Sequence, residues 1–476
     1  MISRVCVVLV AVGTALSITA CTKDNPAFCC STLESCGQVG ATGIVMCNSA
    51  GNRPFCDDPG DFGSPHTCIA DPTAPACDGT DDCTTPQRPV CDVDDTGTCV
   101  GCDDSPDCAR FSGRPICDST SGACVQCTGP EHCTTATASV CGTDGVCRGC
   151  VTDGECGSGV CDEGGGACVD EGDIIYVNRT GGGTACTRAA PCATMTAGVP
   201  LITSGRRWMV VAAGDYRETV TLDNRSVTII GPGASLRPMD VDVPGILVHN
   251  GSTVRIEGLR IYQASGNANA DGIRCAAPVS GAPALTLVDV TLENNAGFGV
   301  DATSCAVTIV TGSITGNTGG GLSVSDGSFD ITNSFITGNG ANTAVGGVRL
   351  MNNATSSAFM FNTVAGNVAA TNVAQSLLCM SVAPQRIANN ILWGGAATQV
   401  TETNCELEFN LSNQNLSGSN NLMATPQFVN GTDFHLMAAS EGVDDADPDA
   451  TLAVDFDGHT RPQGARRDIG ADEVVP

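Results

Sequence analysis

One turn of this chain opens Gly320-Gly321-Leu322-Ser323-Val324 and closes Ile336-Thr337-Gly338-Asn339, and the same phrase returns on either side of it. Other openings are Gly245-Ile246-Leu247-Val248, Asp271-Gly272-Ile273-Arg274-Cys275, Phe298-Gly299-Val300-Asp301 and Gly346-Gly347-Val348-Arg349-Leu350. Other closings are Leu292-Glu293-Asn294-Asn295, Ile314-Thr315-Gly316-Asn317 and Val364-Ala365-Gly366-Asn367. The leading apolar residues stand 27, 27, 22 and 26 positions apart, and the closing asparagines 22, 22 and 28. A period of roughly 20 to 30 residues built from strand-length pieces predicts a solenoid.

Within each period, Val307, Ile309 and Ile314, or Phe329, Ile331 and Ile336, place apolar side chains at alternate positions. Alternation buries one face of a strand and wets the other. One turn cannot cover its own apolar face, so successive turns must stack, with strands about 4.8 Å apart. Gly and Asn recur where the chain turns a corner. Both tolerate left-handed backbone angles, and stacked Asn amides can bond along a ladder. A β-sandwich has similar turns but no fixed internal register. The near absence of helical pattern excludes leucine-rich and ankyrin arrays. The repeat resembles the right-handed parallel β-helix of the pectate-lyase-like superfamily over about residues 174–473. The expected class is therefore all-β, a solenoid preceded by a disulfide-rich, loop-dominated repeat region.

If Ile273, Val300, Leu322 and Val348 point inward, their successors form an outward column: Leu247, Arg274, Asp301, Ser323, Arg349. Arg274 over Asp301 reads as an exposed ion pair between turns, worth under about 1 kcal/mol. The same groups could hold sugar hydroxyls, so Arg274, Asp301, Ser323 and Arg349 are the candidate binding column. Chemistry is harder to place there. A β-elimination lyase needs a strong base and cationic groups or calcium at the uronate carboxylate. Lys23 is the only lysine, which leaves Arg as the base. A hydrolase needs two carboxylates flanking one bond, about 5.5 to 9.5 Å apart. Asp289, Asp301 and Asp330 do not recur at matching positions. The polygalacturonase-like sequences Asn-Thr-Asp, Gly-His-Gly and Arg-Ile-Lys are missing. The five histidines, 66, 132, 249, 435 and 459, are scattered, so no metal cluster is expected.

Met1 to Ala20 carries one charge, Arg4, and an apolar run from Val5 to Leu16. It is too short and one-sided for a membrane span and reads as a signal peptide. Ile18-Thr19-Ala20-Cys21 resembles the bacterial lipoprotein box, which implies cleavage and acylation at Cys21. Ordinary signal cleavage, with Cys21 one more disulfide partner, is the plain alternative. Setting aside Cys6 and Cys21 leaves 28 of the 30 cysteines, an even number. The formal charge of −29 excludes nucleic acid as a partner, since phosphate binding needs clustered Arg and Lys. An acidic surface attracts divalent ions such as calcium weakly, but its usual meaning is solubility.

Four tandem cysteine modules follow a tether: 77, 83, 91, 99; 102, 108, 117, 124; 127, 133, 141, 147; and 150, 156, 161, 168. Their starts are 25, 25 and 23 residues apart, and each opens C-x5-C. An eroded copy using Cys47, Cys56 and Cys68 precedes them. The two-residue joints mimic zinc-ribbon pairs, but an exported chain with no His ladder favours two disulfides per module, in any of three connectivities. Such segments lack a core, and each bridge closing a loop of about 15 residues supplies roughly 3 kcal/mol in its place. Their expected use is a semi-rigid spacer.

Beyond Ile175-Tyr176-Val177, Pro191 to Ser204 predicts a short capping helix over the open sheet end. Cys186 and Cys192 are expected to pair locally, and Cys275–Cys305 and Cys379–Cys405 to staple successive turns. The ending Asp455-Phe456-Asp457-Gly458, Arg461, then Asp468-Ile469-Gly470-Ala471-Asp472-Glu473, resembles that of bacterial β-helix surface proteins of the choice-of-anchor type. It departs at Ser440 to Asp444 and at Asp472. Asp444, Asp445, Asp447 and Asp449 could bind calcium, although a polar cap with Arg461 and Arg467 paired to carboxylates fits them as well. The expected organisation is signal peptide 1–20, lipidated tether and degenerate repeat 21–76, four repeats 77–172, cap and first turn 174–244, coils 245–425 and closing segment 426–476.

Functionally, these readings predict a lipid-anchored surface protein, in the outer membrane or at the cell surface, that binds or adheres to polysaccharide or envelope without chemistry or cofactor. The alternative is a polysaccharide lyase or glycoside hydrolase on the same scaffold. A purely structural envelope component is a third reading.

Overall fold

The computed structural model describes residues 76–475 except 95–96, 278–280, 342–344, 372 and 396–397, together with strands at Phe55–Asp57 and Thr67–Ile69. The expected signal segment, Cys21 and Cys47 lie outside the described residues. The chain divides into two compact units, Met1–Val169 and Asp170–Pro476. Among the described residues, no helix is long and apolar enough to cross a membrane.

In the first unit, each module is a short 3-10 turn followed by a two-stranded antiparallel hairpin. The turns are Thr80–Asp82, Ser105–Cys108, Pro130–His132 and Asp153–Glu155. The hairpins set the last two cysteines of each module opposite one another, as in Cys91 against Cys99 and Cys117 against Cys124. Those cysteines bond backwards rather than to each other. Every module joins its first to its third and its second to its fourth cysteine: 77–91 and 83–99, 102–117 and 108–124, 127–141 and 133–147, 150–161 and 156–168. The buried interior is mostly this sulfur. Arg110 of the second module donates to the carbonyl oxygens of Thr80, Cys83 and Pro89 in the first, which stiffens the joint. The eroded copy keeps the hairpin, with Cys56 opposite Cys68.

The second unit is a parallel β-helix with three ladders. The first runs through Val220–Asp223, Ile246–His249, Ile273–Ala276, Phe298–Thr303, Gly320–Ser325 and Val348–Met351. The second runs from Ile174–Val177 through Ser226–Ile230, Ala284–Val288 and Ser328–Thr332 to Ala358–Met360. A third, ten-stranded sheet runs from Gly214–Arg217 to Leu422–Met423. Leu377–Ala388 is long enough to turn from the first ladder into the second, with a register shift between Met380 and Gln385 where it bends.

Inside, Ile246, Ile273, Val300, Leu322, Val348 and Leu377 pair in register and are all fully buried. They belong to one apolar core extending from Ile175 to Leu407. Polar stacking accompanies it. Asn295, Asn317, Asn339 and Asn367 form a buried ladder in which each Nδ2 donates to the next Oδ1, at 2.8, 2.9 and 3.1 Å. The Oδ1 of Asn317, Asn339 and Asn367 also accepts the backbone N–H of the asparagine before it, and that of Asn295 accepts the Ala264 N–H. A second ladder, Asn362, Asn390, Asn410 and Asn421, takes over at another corner.

The capping helix is shorter than the sequence suggests. It covers Met195–Gly198 and tightens into a 3-10 turn at Val199–Leu201. It starts after Pro191 rather than at it: Thr194 is the N-cap, accepting from the Ala197 N–H at 3.1 Å, while the Glu218 carboxylate accepts from Met195 and Thr196. Pro200 stops regular α-helical bonding. Gly198 lets the helix touch the sheet: a Cβ there would lie 2.9 Å from Ile175 Cγ2 and Met209 Cε.

The closing segment lies against the flank of several turns. Asn333 Nδ2 donates to the Val454 carbonyl, Ala471 N–H donates to Thr363 Oγ1, and Gly470 N–H donates to the Asn389 carbonyl. Phe361, at a corner with φ 55°, is buried among Ile391, Leu411, Leu436 and Ile469.

Candidate ligand-binding face

The outward column of the first ladder forms in the expected register: Leu247 beside Arg274, then Asp301, Ser323 and Arg349. The expected Arg274–Asp301 ion pair is present, but the shorter bonds of Arg274 go to a second carboxylate. Arg274 Nε and Nη2 donate to Asp271 Oδ2 at 2.8 and 2.5 Å, whereas Asp301 Oδ2 stands 3.8 Å from Nε. Asp271 begins the same strand entry and its side chain is fully buried. Its other oxygen accepts the Phe298 N–H at 2.7 Å. Burial pushes this carboxyl up to about 6; the Arg274 guanidinium offsets only part of that, and Asp301 adds repulsion.

Higher on the column, Arg349 Nε and Nη2 donate to Ser323 Oγ at 3.2 and 2.9 Å, over a serine that is itself buried. The Arg349 guanidinium lies 5.4 Å from the centre of the Phe298 ring. Gly320 makes this possible: a Cβ there would lie 2.4 Å from Phe298 Cε1. The face therefore presents two anchored guanidinium groups, one carboxylate and an aromatic edge. Asp271 and Phe298 were not among the sequence candidates. Their signal was visible, since both stand where later turns carry glycine, at Gly320 and Gly346.

Disulfides join Cys275 to Cys305, Cys379 to Cys405 and Cys186 to Cys192. The acidic run suggested for calcium is engaged otherwise. Asp444 Oδ1 accepts the Arg466 N–H, Asp445 pairs with Arg466 at 3.0 Å, and Asp447 pairs with Arg386 at 3.2 Å. Arg461 is buried; it pairs with Glu473 at 3.2 Å and donates to the carbonyls of Asp468 and Gly470. Burial lowers its affinity for the proton. Arg467 instead donates Nε to the Leu452 carbonyl at 2.7 Å. The terminal motif thus locks the tail to itself. The histidines are scattered in sequence, but the tail folds back so that Asp457 and Asp472 come near the His435 ring.

No family model matches the sequence, and no curated protein is a significant match. Among solved structures, pectate lyase Pel9A is similar, with 14% identity and a TM-score of 0.41 over 63% of this chain and 96% of that one. The pectin methylesterase of Aspergillus niger is similar at 14% identity and a TM-score of 0.31, over 52% of this chain and 85% of that one. The likeness is one of fold.

Proposed function

We propose that this chain is a lipid-anchored surface protein whose β-helix binds polysaccharide along the Arg274–Arg349 column without cleaving it, the cysteine modules serving as its spacer. The observation that carries the non-catalytic reading is the state of Asp271. It is the carboxyl on this face held near neutral pH, as a general acid would be, yet it is buried beneath Arg274 with both oxygens engaged. A carboxyl that cannot reach a glycosidic oxygen cannot flank the bond opposite Asp301. Arg274 and Arg349 are likewise anchored, which suits fixed donors to hydroxyls better than a proton-abstracting base. The acidic chain favours a neutral polysaccharide over an acidic one.

The full-length protein is to be screened on an array of neutral and acidic polysaccharides, with product analysis of each bound polymer. Binding that weakens in Asp301→Ala and Arg349→Ala, without new reducing ends or unsaturated products, is expected. Products that vanish in an Arg274 or Asp301 variant would establish the lyase or hydrolase reading instead. For the anchor, Cys21→Ser is expected to release the protein from the membrane fraction, and retention there would overturn it.

A further inference from the structure

Three segments of the tail that are distant in sequence meet beside Phe335. His435 comes from the first, Asp457 from the Asp-Gly turn and Asp472 from the terminal motif. A ring nitrogen of His435 and one oxygen from each carboxylate all lie within 4.8 Å of one another. The imidazole is held before any ligand arrives: its ring centre is 4.8 Å from Phe335 and 6.4 Å from Phe456. Asp433 Oδ1 stands 2.5 Å from Nδ1 and accepts its proton. That contact turns Nε2 toward Asp457 and Asp472. Nε2 is itself buried within a half-buried side chain and pairs with Asp457 Oδ2 at 3.1 Å.

The carboxylates call for a positive charge at the ring, which a proton on Nε2 or a metal ion can supply. Three carboxylates face one imidazole, and Asp472 is additionally fixed by accepting the Leu436 N–H at 2.6 Å. A carboxylate on one imidazole nitrogen, with the other turned toward oxygen donors, is how proteins orient a metal-ligating histidine. Two ligands at about 2.0 Å from a tetrahedral ion stand roughly 3.3 Å apart, close to the Nε2–Asp457 separation. Calcium takes oxygen ligands, so an imidazole in the set points to a transition-type divalent ion.

We propose that His435 Nε2, Asp457 and Asp472 bind one divalent metal ion of the zinc class, with Asp433 orienting the histidine. The ion fastens three segments of the tail beside the point where His435 and Phe456 pack on Phe335. Asp457, partly exposed, supplies the entry path and the small movement needed to close the set.

The test uses the full chain with its disulfides intact, stripped with chelator and dialysed against zinc chloride. Elemental analysis is expected to find one more zinc per chain in the wild type than in His435→Phe, which keeps an aromatic ring on Phe335 but removes Nε2. Subtraction of the variant removes non-specific binding to an acidic surface. Asp457→Asn, at an exposed position, is expected to lose the same equivalent and serves if His435→Phe misfolds. Asp433→Asn is expected to weaken binding by roughly tenfold to a hundredfold. Zinc is expected to raise the unfolding temperature of the wild type alone. Equal zinc content in wild type and variants, or displacement of the bound zinc by equimolar calcium, would overturn the proposal.

Discussion

The modules between Cys77 and Cys168 and the turns between Ile175 and Leu407 reach a defined shape by opposite means. The modules bury mainly sulfur and close loops of 11 to 16 residues with eight bridges. The turns bury a continuous aliphatic column and carry disulfides as additions to it. Cross-links stabilise chiefly by restricting the unfolded chain, whereas burial acts on the folded one. The two halves should therefore answer to different insults.

The largest expected separation is under reduction. A thiol reductant at neutral pH should abolish protease resistance of the modules, each bridge being worth roughly 3 kcal/mol. The β-helix should keep its far-ultraviolet circular dichroism, even as a Cys275→Ala, Cys305→Ala variant. Equal loss in both halves would dissolve the contrast.

Core truncation should have the converse selectivity. Leu322→Ala, in the middle of the column, is expected to cost about 2 to 5 kcal/mol in denaturant unfolding of the coils and nothing in the modules.

Asp271 sharpens the comparison through pH. Its folded-state value of about 6 lies above the ordinary 3.8, so the folded chain binds the proton more tightly than the unfolded chain. The associated stabilisation is present below pH 4 and is lost as pH rises through about 6. Its size is on the order of 2 to 3 kcal/mol. Asp271→Asn should flatten this part of the stability profile of the coils, and an unchanged slope would show that the carboxyl is not buried as described.

Asn339→Ala interrupts a polar ladder in the same interior. It leaves partners on both neighbouring turns unmatched and should cost about 1 to 3 kcal/mol. Asp301→Ala, on the wet side of the same strands, should change stability by less than about 1 kcal/mol. Any larger effect would make that residue part of the scaffold rather than of a binding face.

Particular residues show how far the sequence could be read. Val300, Leu322 and Val348 announced the inward column because alternation and period are local properties of a strand. The first asparagine ladder was visible through its spacing. The second was not recognised, because Asn362, Asn390, Asn410 and Asn421 belong to later turns of irregular length. The helix starts later than Pro191 suggests, because Thr194 caps it through the Ala197 N–H and Glu218, in the link between two later strands, accepts from Met195 and Thr196. Asp271 stands in a strand opening, but nothing local reveals that it, rather than Asp301, holds Arg274 most closely.

By itself the sequence determined a stacked parallel coil, a cysteine-bridged repeat and which side chains of each strand face outward. These follow from periods and counts, which survive without knowledge of distant contacts. Only the tertiary structure decided the disulfide pairing within each module, the partner of Arg274 and the meeting of His435 with Asp457 and Asp472. Each of those depends on where the chain returns after a turn or a long excursion, and hydrophobic patterning along a strand carries no record of that return.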